Sequence, residues 1–190
     1  MKKSKKETTK KKLAVCTLIS ALVAIGLGTF LHFALELSGG NFFVALFSAA
    51  NESVWEHLKL IFIPFEVTML IEYFIYGKDL KNFFSAKLIG VLSAMAATVV
   101  LYYTFVGVTG KNIPFVNISI FVITTALAYF ISYIRMLNKK GFLGAFGETA
   151  SIVILASFWA LFFFFTYYPP EIPLFRDPMN MLYGIDAIGS

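Results

Sequence analysis

Residues 51–77 read NESVWEHLKLIFIPFEVTMLIEYFIYG, and how this run is taken decides the fold. Glu52, Glu56, His57 and Lys59 crowd its start, and Glu66 and Glu72 interrupt an otherwise apolar continuation. From Leu58 to Tyr76 it has the character of a membrane-crossing helix, which needs about 20 mostly apolar residues. Charges in such a setting are costly unless they pair or line a wet cavity. They therefore belong either to a capping and anchoring device or to a site.

Four more blocks meet the same criterion: Leu13–Leu37, Ala86–Val108, Phe115–Leu137 and Ser151–Tyr168. The composition agrees, with 58% hydrophobic residues, 14% charged and a mean hydropathy of +0.78. Soluble domains carry about 25% charged residues. The expected fold is an all-α integral membrane protein with five transmembrane helices. Residues 1–12 form a disordered basic cytoplasmic tail, 13–168 a single helical bundle, and 169–190 a Pro-rich extracytoplasmic segment. The first apolar block is too long for a secretory signal and lacks a cleavage site, so it is read as a retained span. A lone Cys16 excludes an internal disulfide and multi-cysteine metal motifs.

Between the first two spans lies SGGNFFVALFSAANESVWEH, in which Phe42–Ala50 is too short to cross a bilayer. After the Gly39-Gly40 break it suits a short interfacial or re-entrant helix. Basic residues set the orientation. The seven tail lysines, Lys78, Lys81, Lys87, Arg135, Lys139 and Lys140 fall on one side, and only Lys59, Lys111 and Arg176 on the other. The N-terminus is then inside and the C-terminus outside, in the plasma membrane of a bacterial cell. The net charge of +5 suits an anionic membrane surface and not nucleic acid.

Candidate site residues cluster at the outer face. His32 and Glu36 share a helix face at i, i+4 spacing. If the second span extends back to Glu52, then Glu52, Glu56, Lys59 and Glu66 fall within a stripe about 80° wide. Pro64 beside Glu66 frees the carbonyl of Leu60 and predicts a kink. Ligand or proton contacts are assigned to His32, Glu36, Glu52, Glu56, His57, Lys59 and Glu66, with Asn117, Thr124, Thr125, Thr98 and Tyr102 lining the route. A divalent metal would use His32, Glu36, Glu56 and His57, since mixed histidine and carboxylate ligation suits transition metals. Arg176 and Asp177 would cover the mouth as a lid. A purely structural account also exists: Ser53 and Glu56 match the S-x-x-E capping box, Trp55 anchors at the interface, and Lys59 snorkels. Glu72 reads as an inner-interface ion pair and Glu148 as a first-turn acid.

NESVWEHLKLIFIPF together with PPEIPLFRDP and the later YGI resembles a family of small bacterial multi-pass membrane proteins of unknown function. The resemblance covers nearly the whole chain after the lysine tail and implies no activity. Ceramidase-like hydrolases, CAAX-protease-like enzymes and quinone-linked disulfide enzymes need histidines, paired glutamates or cysteines that are absent here. Substrate-binding subunits of vitamin transporters are similar in size, but usually have six spans. The expected function is binding or transport of a small solute or cation from an outward-facing polar pocket. The alternatives are a metal-dependent intramembrane hydrolase, with Glu52 or Glu66 as base, and a structural subunit of a membrane complex.

Overall fold

The structure, a computed structural model, describes residues 2–138 and 144–187. It is helical: α1 (Lys2–Leu37), α2 (Phe42–Phe47), α3 (Val54–Ile75), α4 (Phe83–Thr109), α5 (Pro114–Leu137) and α6 (Gly144–Tyr167), with short 3₁₀ turns at 77–79, 173–175 and 184–187. No strand occurs among the described residues, only an isolated bridge between Arg176 and Tyr183. Helix α1 continues back through the basic tail to Lys2, and lysine is a good helix former. Lys139 and Lys140 lie outside the described residues.

Helices α1, α4, α5 and α6 are long and apolar enough to cross a membrane. Each turns large apolar side chains outward, among them Leu18, Phe30, Val100, Phe130 and Phe164. Helix α3 differs. Its 22 residues, about 33 Å at 1.5 Å per residue, are mostly buried, and Glu56, Lys59, Glu66 and Glu72 are all enclosed. It runs through the middle of the bundle, packed on α1, α4 and α6, with Phe65 against Tyr129 of α5 at 4.9 Å between ring centroids.

The helix ends follow local chemistry. At the end of α1, Gly39 and Gly40 take φ of +69° and +78°, and their N–H groups donate to Glu36 and Leu35 carbonyls. Asn41 then caps α2 by accepting from the Phe43 N–H at 2.9 Å. Ser53 caps α3, accepting from Glu56 N–H at 3.3 Å. The helix therefore begins at Val54, and Glu52 lies before its cap and not in the helical stripe. Glu148 of α6, expected as a first-turn acid, accepts from the N–H groups of both Phe84 and Ser85 at 2.8 and 3.0 Å, and so caps α4 from a neighbouring helix.

Pro64 leaves the Leu60 carbonyl without its intrahelical donor. That oxygen faces Gly28 of α1, so close that a Cβ built on Gly28 would stand 2.4 Å from it. The free acceptor is thus covered by a glycine, which lets the α1 and α3 backbones touch.

Candidate functional site: an outer polar pocket above a locked ion pair

The short helix α2 lies along α6. Phe42 stacks on Tyr167 at 4.3 Å, and the Tyr167 hydroxyl donates to the Phe42 carbonyl at 2.8 Å. Phe47 meets Phe163 at 5.3 Å and Trp159 at 6.2 Å. From Tyr167 to Trp159, α2 follows about two turns of α6, and the chain then returns through Ser48–Ser53 to the start of α3.

A segment like this leaves backbone groups that its six residues cannot satisfy. Glu56 and Lys59 satisfy them. The Glu56 carboxylate accepts from the Ala50 N–H at 2.8 Å, and the Lys59 ammonium donates to the Ala45 carbonyl at 2.8 Å. The two side chains pair at 2.5 Å, and Lys59 also donates to Thr166 Oγ1 of α6 at 2.9 Å. Both charges are fully buried, and all three ammonium protons have partners. Their sequence signal was the capping box, but Glu56 reaches back to Ala50, while the Ser53 N–H donates to Asn51 Oδ1 at 2.8 Å.

Glu52 faces two histidines. Its Oε1 lies 4.0 Å from His32 Nε2 and its Oε2 lies 3.6 Å from His57 Nε2. The imidazole rings of His32 and His57 are 5.3 Å apart. His57 Nδ1 sits 2.9 Å from the Ser53 carbonyl. A carbonyl only accepts, so Nδ1 carries a proton, and in the neutral ring Nε2 holds the free lone pair. One donor atom from each of His32, Glu52 and His57 lies within 4.8 Å of the other two.

Glu52 and His57 border a small pocket of about 40 Å³ that Thr98, Tyr102, Asn112 and Asn117 also line, with His32 beside it through Glu52. That volume admits a few waters or one ion, not an organic solute. Two buried polar atoms here lack hydrogen-bond partners, His32 Nδ1 and Asn117 Oδ1. The floor is closed by Thr98, which donates to Thr124 at 2.9 Å. Thr98, Tyr102 and Asn117 line it, away from the Glu56–Lys59–Glu66 route along which the sequence set them. Glu36 is exposed and outside the pocket, Glu56 and Lys59 form the separate ion pair below α2, and Glu66 borders a different concavity.

The Pro-rich C-terminal segment docks on the same face. Asp177 accepts from the Glu52 N–H at 3.0 Å and the Met179 N–H at 2.7 Å, and the Gly184 carbonyl accepts from Asn51 at 2.9 Å. Phe175 packs against Trp55 at 4.8 Å and Phe165 at 5.2 Å. Trp55 is thus buried in an aromatic cluster and is not an interfacial anchor. Asp177 is buried as a tether that fixes the backbone of Glu52, whereas Arg176 is exposed. Asp177→Ala would leave two N–H groups unbonded, at a cost of about 1–3 kcal/mol. The expected result is faster proteolytic trimming of the C-terminal segment and a lower melting temperature.

At the far end of α3, Glu72 pairs with Lys87 of α4, both enclosed. Sequence alone put Lys87 in a loop and Glu72 at the inner interface. Helix α4 starts three residues earlier than expected, at Phe83, and carries Lys87 inward among the rings of Phe65, Phe83 and Tyr129, 5.0–5.7 Å from its ammonium.

The segments that meet around Glu52 are the two that carry the sequence resemblance. The chain belongs to a family of unknown function, DUF6512, which it matches over residues 1–185. No curated protein and no solved structure matches it. Membership in the family covers both the outer pocket and the docked C-terminal segment.

Proposed function

We propose that this family member binds a divalent transition-metal cation in the outer pocket, as the capture step of cation binding or transport. His32, Glu52 and His57 are the ligands. The observation that carries the reading is the convergence of both histidine Nε2 atoms on the two oxygens of one carboxylate. The His57 tautomer, held by a backbone carbonyl, presents a lone pair to that point. Metal–ligand bonds of about 2.0–2.2 Å put tetrahedral donors roughly 3.4 Å apart. The donors here, within 4.8 Å of one another, need to close by up to about 1.4 Å, and the half-exposed Glu52 side chain has freedom to move toward the histidines.

The setting we infer is the plasma membrane of a bacterial cell. Helix α3 is the fifth span, since its charges are internal and its length is sufficient. The basic tail, Lys78, Lys81 and Arg135 then lie inside, and Lys111 and Arg176 outside. The N-terminus is cytoplasmic and the C-terminus external. Helix α2 is re-entrant, because it follows α6 inward from Tyr167 to Trp159 and its freed backbone groups are met by Glu56 and Lys59. Hydrolysis fits less well. Glu52 serves among the ligands, and Glu56 and Glu66 lie outside the pocket, so neither is placed as a base beside the metal.

Titration of the purified, metal-stripped chain with Zn²⁺ or Mn²⁺ tests the reading. One cation per chain is expected, and His57→Ala and Glu52→Ala should each weaken it at least tenfold with little change in melting temperature. No stoichiometric cation, or binding indifferent to both substitutions, would remove the proposal.

A further inference from the structure

A second concavity, of about 290 Å³, lies between α3, α4 and α6, away from the outer pocket. Val67, Leu70, Phe84, Ile152, Ala156 and Trp159 supply most of its wall. It opens on the flank of the bundle: Val67, Leu70 and Ile152 at its edge are 40%, 55% and 46% exposed, on the side that the membrane reading turns to lipid. Among the described residues lining it, Glu66 alone is ionisable.

Glu66 is only 5% exposed, and its Oε1 has no hydrogen-bond partner. Trp159 is its polar neighbour on α6, and Lys87 is the nearby cation on α4. Lys87, however, forms its ion pair with Glu72, and Tyr129 on α5 bonds to Thr68. Two carboxylates therefore share one ammonium, and Glu66 is the one left over. It stands ten residues along α3 from Glu56, about 15 Å deeper, which is near the middle of a hydrocarbon layer about 30 Å thick.

We propose that this groove binds a lipophilic amine, a protonated amino group on an apolar chain, with Glu66 as its counter-ion. The lateral opening admits a ligand from the bilayer, the apolar wall accepts its chain, and the carboxylate, whose nearby cation is committed to Glu72 and whose Oε1 is free, supplies the charge that selects an ammonium group. The ring of Trp159 beside Glu66 offers a second surface suited to a cation. A lipid chain alone would fill the groove and leave Glu66 without a counter-ion of its own, and an anionic amphiphile would be repelled. The inference rests on the membrane reading of the helices but not on the metal site.

The chain has two tryptophans, so Trp55→Phe leaves Trp159 as the reporter. The full chain in electrically neutral phosphatidylcholine nanodiscs is titrated with dodecylamine, dodecanol and dodecanoate while Trp159 emission is followed. A saturable change is expected with the amine, at least tenfold tighter than with the alcohol, and none with the carboxylate. Glu66→Gln should abolish the preference for amine, and Ala156→Leu, which fills the groove without touching the charge, should weaken amine binding at least tenfold. Equal apparent affinities for amine and alcohol in the parent chain would overturn the proposal. So would an amine response unchanged by Ala156→Leu. Both readouts stand even if Glu66→Gln does not fold, and neither depends on added metal.

Discussion

Lys59→Met is expected to be among the most damaging single substitutions in the chain, lowering stability by about 3–5 kcal/mol. The substitution keeps the length of the side chain and removes its charge. Glu56 would then stay enclosed as an unmatched carboxylate, because its nearest cation is Lys59 at 2.5 Å. The Ala45 carbonyl would lose its 2.8 Å donor, and Thr166 would lose a link that ties α6 to α3. Undocking of α2 should precede global unfolding, visible as protease cleavage within residues 42–53 at temperatures where the rest of the bundle survives. Glu56→Gln combined with Lys59→Met should recover part of the loss, since no buried charge is then left unpaired. A double-mutant cycle reads the coupling directly, and additive effects would show that the pair does not act as one unit.

The second large effect is steric. Gly28→Ala places a methyl group 2.4 Å from the Leu60 carbonyl oxygen and 2.7 Å from the Phe121 ring. The phenyl ring is the end of a side chain and can shift, but a backbone carbonyl in the middle of a packed helix cannot, so α1 and α3 must separate. A destabilisation of about 1–3 kcal/mol is expected for this single methyl group, and more for Gly28→Leu. Gly26, two residues earlier on the same helix, has nothing within 4 Å of its Cβ position. Gly26→Ala should therefore stabilise the helix by about 0.5–1 kcal/mol. Opposite signs at the two positions, measured by thermal or denaturant unfolding in one detergent, are the expected result. Matching signs would mean that the α1–α3 contact does not govern stability.

Much of the architecture was legible because hydrophobic blocks of bilayer length carry a strong one-dimensional signal. The blocks around Leu13–Leu37, Ala86–Val108, Phe115–Leu137 and Ser151–Tyr168 all became helices long and apolar enough to cross a membrane. The run from Leu58 to Tyr76 became a helix as well, extended at its start by Ser53, whose capping role its S-x-x-E spacing announced. Pro64 and the carbonyl it frees were equally readable. The partner of that carbonyl was not, because Gly28 lies on another helix 32 positions away.

The site was less legible. An angular stripe assumes that a helix runs through every residue counted, and Glu52 lies outside the helix it was assigned to. Once the cap at Ser53 turned the chain, Glu52 joined His32 and His57, and Glu36 was left in the open. Glu56 and Lys59 stood out as charges in an apolar stretch, and both are enclosed in α3. Their task of satisfying the backbone of residues 45 and 50 could not be read from their spacing, because it depends on where α2 folds back. Asp177 looked like a lid residue and is a tether on the Glu52 backbone, which only the docking of the C-terminal segment determines.

The sequence by itself determined that the chain is helical, marked five apolar blocks of which four are helices able to cross a membrane, and showed which polar residues stand out. These are properties of composition and period, and they survive any arrangement of the helices. Tertiary structure alone decided which charges neutralise one another, which histidines meet, and which carboxylate is left facing a groove. Pairing is a matter of distances of a few ångströms between different helices, and those distances are set by close contacts such as Gly28 on Leu60 rather than by position along the chain.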